Sequence, residues 1–231
     1  MDPRKLFTDQ RHAAFCVYCG DQPSTREHVP SKALLDEPFP PNLPVVGSCA
    51  ACNNGYSQDE EYFAVAVECA ACNSADPDAV QRPRIARKLR ESPGLAARIS
   101  GAVTQLDFWG VRSVRLERDR VERVMLKLAR GHAAYEFGEP VLDEPSESWI
   151  GPLAEMSETA RRDFETAPEP SLFPEIGSRA FLRVIAMGGS GFALDDWQVV
   201  QEGRYRYLVS PSPFLVRLVV GEYLAAEFRW E

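Results

Sequence analysis

Long apolar runs are missing from this sequence: none approaches the roughly eighteen residues that a membrane helix needs. The opening "MDPRKLFTDQRHAAF" carries charges with no apolar segment behind them, so no secretory signal is expected. The expected compartment is therefore the cytoplasm. Thiols stay reduced there, and the six cysteines read as metal ligands or packed thiols before they read as disulfides. Internal repeats are absent too, which sets repeat architectures aside. Positive charge is in short supply: 26 Lys and Arg against 34 Asp and Glu leave a net charge of −8, which argues against a nucleic-acid coat. The remaining composition is that of an ordinary soluble globular chain, and 231 residues allow a small module beside a larger one.

The scarce positive charge is concentrated. Lys and Arg number 5 against 12 Asp and Glu over 1–81, 13 against 5 over 82–130, and 2 against 11 over 131–175. Arg120, Arg123, Lys127 and Arg130 share one face at helical spacing, so they are the candidate phosphate-binding residues. The blander reading is a solvated helix face paired with Glu117, Asp119 and Glu122, followed by an acidic, proline-rich surface excursion.

The fold class expected is α+β: a small N-terminal unit over 1–75, and a remainder over 76–231 with a helical segment and a C-terminal antiparallel, β-rich part. Asn54-Gly55 reads as a turn, and Ser57 with Glu60 reads as a capping box that starts a helix reaching about Cys72. Short helices are expected over 82–91 and 94–100, split by Ser92-Pro93-Gly94, with a strand over 104–116. Val121, Val124, Met125 and Leu128 recur at helical spacing from Arg118 to Arg130. "RAFLRVIAMG", "DWQVVQEGRYRYLVS" and "FLVRLVVGEYLAAEFRW" read as strands separated by Gly and Pro signals.

Chemistry concentrates in "CVYCGDQPSTREHVPSKALLDEPFPPNLPVVGSCAACNNGYS", Cys16 to Ser57. Two Cys-x-x-Cys knuckles can hold zinc tetrahedrally, and Cys16, Cys19, Cys49 and Cys52 form one such set. Cys49, Cys52, Cys69 and Cys72 form another at zinc-ribbon spacing. The first is favoured because "CVYCG" and "CAACNNG" lead into turn-forming residues, whereas Cys69 and Cys72 fall inside the expected helix, where thiols mostly pack. Between the knuckles stands Glu27-His28. A carboxylate beside an imidazole lets one group hold a hard divalent cation while the other takes a proton from water. Asn42 is a candidate to orient that imidazole, and Asn53 is an amide oxygen held beside the last cysteine.

Over about residues 15–62 these motifs together resemble the HNH endonuclease family in its zinc-stapled, ββα-metal form, with Asn53 in place of a third histidine. The resemblance implies that His28 is the general base, Glu27 and Asn53 ligands of a catalytic Mg or Mn ion, Asn42 the residue orienting the base, and Cys16, Cys19, Cys49 and Cys52 ligands of a structural Zn. It also implies nucleic acid as partner, DNA first, allows a homodimer, and involves no membrane. A different class fits the same residues: a non-catalytic zinc module that binds nucleic acid or protein, with Glu27-His28 a surface pair. A redox or metal-storage role is a third, with nothing to select a reactive thiol.

Overall fold

The computed structural model describes residues 14–103, 105–106, 112–113, 116–169, 172, 174–186 and 197–230. It is an α+β protein with a C-terminal antiparallel sheet. Residues up to 55 form one compact unit with 125–231, and residues 56–124 form a second. The boundary expected near residue 75 falls inside the second unit.

The first unit opens with a hairpin. Strand β1 (Thr25–His28) pairs antiparallel with β2 (Val45–Ser48), setting Glu27 opposite Val46 and His28 opposite Val45. Helix α1 (Ala50–Ala71) follows at once. It starts seven residues before the expected capping box, so Asn54-Gly55 and Ser57 lie within it. The reason lies in two side chains before the helix: the Cys52 N–H donates to Cys49 Sγ (3.3 Å) and the Ala50 N–H to Ser24 Oγ (3.0 Å). Two groups outside the usual cap pattern therefore satisfy the orphan donors of the first turn.

The second unit holds most of α1, then α2 (Pro83–Glu91) and α3 (Pro93–Val103), close to the expected pair of helices. Glu68 of α1 accepts the N–H groups of Gln81 and Arg82, both at 3.0 Å, which anchors the start of α2. Strands β3 (Gln105–Leu106) and β4 (Arg112–Ser113) pair antiparallel, and the rest of the strand expected over 104–116 lies mostly outside the described residues.

Helix α4 (Arg118–Phe137) continues seven residues beyond the expected stripe. From Met125 onward it is the spine of the first unit, with different faces given to different partners. Lys127, Gly131 and Ala134 turn toward the N-terminal hairpin, where Ala134 packs with Cys16, Val17, Tyr18, Val29 and Val46. His132 and Glu136 turn toward the C-terminal sheet, whose order is β5-β9-β8-β7-β6. Its strands are β5 (Glu147–Pro152), β6 (Gln198–Gln201), β7 (Tyr205–Pro211), β8 (Phe214–Val220) and β9 (Leu224–Trp230). Tyr205 and Tyr207 project onto α4, and on the opposite face Val219 and Ala225 pack with Phe164 of α5 (Glu158–Glu165). Arg217 leaves that second face to donate to the carbonyls of Asp163, Phe164 and Thr166, closing the C-terminal end of α5.

Two segments differ from the sequence reading. "RAFLRVIAMG", expected as a strand, forms helix α6 (Arg179–Ala186), because Ser178 Oγ accepts the Phe181 N–H (3.1 Å) and caps a helical start. The acidic stretch expected as a surface excursion contributes β5, which pairs along its whole length with β9. No helix among the described residues is long and apolar enough to cross a membrane.

Candidate metal centre and the adjoining Glu-His pair

The first knuckle is a turn closed by two backbone bonds, Cys16 N–H to Asp21 O (2.7 Å) and Gly20 N–H to Cys16 O (2.8 Å). Gly20 has φ of +79°, a conformation in which a Cβ is strained. A further bond from Val17 N–H to Gly47 O (3.1 Å) ties this turn to β2, and β2 delivers Cys49 to the start of α1. The ligand atoms of Cys16, Cys19, Cys49 and Cys52 then lie within 4.8 Å of one another, so this group could hold a metal ion. Cys19 Sγ and Cys49 Sγ are 3.8 Å apart. A tetrahedral zinc with thiolates at about 2.3 Å has edges of about 3.8 Å, so the sulfur spacing fits that ion.

Burial raises the Cys16 thiol, but hydrogen bonds with the backbones of Cys49, Tyr18 and Cys19 outweigh it and bring its pKa down to about 7. In the same group the Cys19 thiol is raised to about 11 and the Cys52 thiol is raised further, so a metal ion would have to displace their protons on binding. Cys69 and Cys72 are not part of this group. Cys69 is buried in α1, which pushes its pKa up to about 12, and Cys72 Sγ lies 3.7 Å from Glu68 Oε1.

Alternation along β1 sends Thr25 and Glu27 to one face and Arg26 and His28 to the other. Asn53, in the first turn of α1, donates its amide Nδ2 to Thr25 Oγ1 (3.1 Å), so it belongs to the Glu27 face. With the amide nitrogen engaged, the oxygen of Asn53 is the atom suited to a hard cation. His28 is half-buried. Burial, and then the charge of Lys32, lowers its pKa from 6.5, so the imidazole is a neutral acceptor at neutral pH. Asn42 is exposed in the turn before β2, and no hydrogen bond joins it to His28 among the described residues.

Glu27 has a neighbour that the sequence reading did not anticipate. Lys127 of α4, one hundred residues on, donates from Nζ to Glu27 Oε1 at 3.0 Å, and both side chains are buried, at 2 % and 7 % exposure. Its ammonium also stands 5.5 Å from the Tyr18 ring centroid, inside the first knuckle. Lys127 was expected on a phosphate-binding surface and instead lies inside the fold. Its helical neighbours give the signal that could have revealed this. Gly131 and Ala134, four and seven residues on, are small and allow close approach on that same face.

The other three basic residues are also engaged. Arg120 pairs with Asp59 and Glu117, both at 3.2 Å, and Arg123 with Asp59 at 3.0 Å. Arg130 donates to the carbonyls of Leu142 and Asp143 and to Glu144. Of the four, Arg123 alone keeps more than half its side chain exposed, at 58 %. The helix therefore spends most of this charge inside the protein. Compared with known proteins, the chain matches no family model, no curated protein and no solved structure.

Proposed function

We propose that this protein is a metal-dependent endonuclease of the HNH type, in which Cys16, Cys19, Cys49 and Cys52 hold a structural zinc and Glu27, His28 and Asn53 form the cleavage centre. The observation that carries the reading is a two-stranded hairpin and the first turn of a helix, joined by a four-cysteine group, with Glu27-His28 at the end of β1. That arrangement resembles the zinc-stapled ββα-metal core. A Mg or Mn ion held by Glu27 and Asn53 would polarise a phosphoryl oxygen and stabilise the leaving oxygen. His28, neutral at physiological pH, takes the proton from the attacking water.

The test is purified protein on supercoiled plasmid with Mg or Mn, beside His28→Ala at equal zinc content. Loss of a general base should slow nicking by about a hundred- to ten-thousandfold. Equal nicking by the two proteins would remove the nuclease reading.

A second reading has its own support: Glu27 is bonded to Lys127, and Arg120, Arg123 and Arg130 are all paired within the chain. A non-catalytic zinc module would need nothing more from these residues. Its signature is tight zinc with no plasmid nicking, and salt-dependent DNA binding then tells a nucleic-acid-binding module from a protein-binding one.

A further inference from the structure

We infer that Lys127 is a positioning residue of the candidate cleavage centre: a built-in cation that holds the Glu27 carboxylate in place and weakens the hold of that carboxylate on a divalent ion. The inference rests on the reading of Glu27 as a ligand for Mg or Mn, and it names a determinant of how tightly that ion binds.

Three observations converge on Lys127. Its Nζ is 3.0 Å from Glu27 Oε1 with both groups almost wholly buried, so water screens their interaction poorly. The stem is held where α4 meets the hairpin. An added Cβ on Gly131, one turn further along, would come within 2.8 Å of Val29 Cγ2 and 3.2 Å of Tyr18 Oη. The ammonium also faces the Tyr18 ring, between the ligands Cys16 and Cys19, so one side chain links the zinc knuckle to the acid of the site.

Charge then sets the consequence. A divalent ion on Glu27 would share the carboxylate with a fixed positive charge one hydrogen bond away, and like charges at that range oppose one another strongly. Lys127 thus orients Glu27 at the cost of metal affinity. A centre built this way takes its ion weakly and gives it up readily, in contrast with the closed four-sulfur site alongside.

The experiment is thermal melting of the full, zinc-loaded chain across a titration of Mg or Mn, for wild type, Lys127→Met, and Glu27→Gln/Lys127→Met. Removing one partner of a buried pair should lower the melting temperature of Lys127→Met by roughly 6–20 °C without the ion. The ion should restore most of that loss, acting at a concentration at least about tenfold lower than any effect on wild type, as expected when a nearby like charge is removed. The double variant, with a neutral amide facing a thioether, should melt above Lys127→Met and ignore the ion. An ion response in Lys127→Met equal to that of wild type overturns the inference, as does a double variant no more stable than Lys127→Met. If Lys127→Met fails to fold, the double variant decides: should it fail as well, Lys127 is needed for packing and not for charge. Melting does not read cleavage. A protein with this linkage that never nicks plasmid keeps the Lys127 inference and loses the nuclease reading, and a protein that nicks through Glu27 without the linkage does the reverse.

Discussion

His132 shows what full burial does to a titrating side chain. Its Nε2 lies 2.9 Å from the Tyr205 hydroxyl and its ring stacks on Tyr207 at 3.7 Å, and burial holds its pKa well below the ordinary 6.5. The folded chain therefore stays unprotonated at this residue where the unfolded chain takes up a proton. The stabilisation is complete above 6.5 and is lost as the pH falls below it. The slope from this one group approaches about 1.4 kcal/mol per pH unit. Urea unfolding of wild type and His132→Phe between roughly pH 5 and 7 measures it, and the variant should lose that part of the slope. An unchanged slope in His132→Phe would place the acid sensitivity elsewhere. At the same scale the sequence was most legible where chemistry is local. The turn after Cys19 marks the first knuckle, and Glu27-His28 is a dipeptide, whereas the Asn53-Asn54-Gly55 run that reads as a turn beside the second knuckle lies inside α1. Lys127 was misread because helical spacing tells which residues share a face and not which face is covered.

Among the elements, α4 carries the sharpest test. Gly131 sits mid-helix, where Gly→Ala ordinarily stabilises by about 1 kcal/mol through helix propensity. Here the new methyl would meet Val29 at 2.8 and 2.9 Å. Gly131→Ala should therefore destabilise the fold by about 1–3 kcal/mol, the usual range for overpacking, and chemical denaturation reads the sign directly. A stabilised variant would mean that the hairpin and α4 pack more loosely than these distances say. The elements that sequence reading missed share a physical reason. Helix α1 is started by Cys49 sulfur and by Ser24, the second of these far away in sequence. Strand β5 is edge-paired and mostly exposed, so it lacks the alternation that marks a half-buried strand. In α6 a serine cap outweighed an apolar run that reads equally well as a strand, the ambiguity expected of short apolar segments.

At the scale of the molecule, the expected N-terminal module is not self-contained. Its apolar residues Val17, Tyr18, Val29 and Val46 are buried together with Ala134 of α4, and the far side of α4 rests on the sheet. With a metal on the four cysteines, its removal by a strong chelator should therefore release more than the knuckles. Hydrogen exchange should quicken in β1, β2 and the Gly131–Ala134 turn of α4, while β7, β8 and β9 keep their protection, since their ladders do not involve the cysteines. Loss of protection throughout the sheet would show that the metal supports the whole unit. Residues 1–75 read as a separate unit because all six cysteines and the helix ending near Cys72 lie there, whereas the packing partners of the hairpin lie beyond residue 124 and leave no mark in the local sequence.

The loop between β1 and β2 adds a longer tether. The Asp36 N–H donates to Gln201 Oε1 at 2.8 Å, Gln201 Nε2 returns a bond to Asp36 O at 2.9 Å, and Arg204 pairs with the Asp36 carboxylate at 2.6 Å. On the ribosome this has an effect on timing. Residues 16–52 leave the exit tunnel early, but Lys127 follows one hundred residues after Glu27, and Arg204 follows 168 residues after Asp36. At translation rates of about 5–20 residues per second, the cysteine knuckles wait several seconds or more for those partners. A newborn chain can thus bring its four cysteines together well before Glu27 meets Lys127, and Asp36 is secured by Arg204 later still.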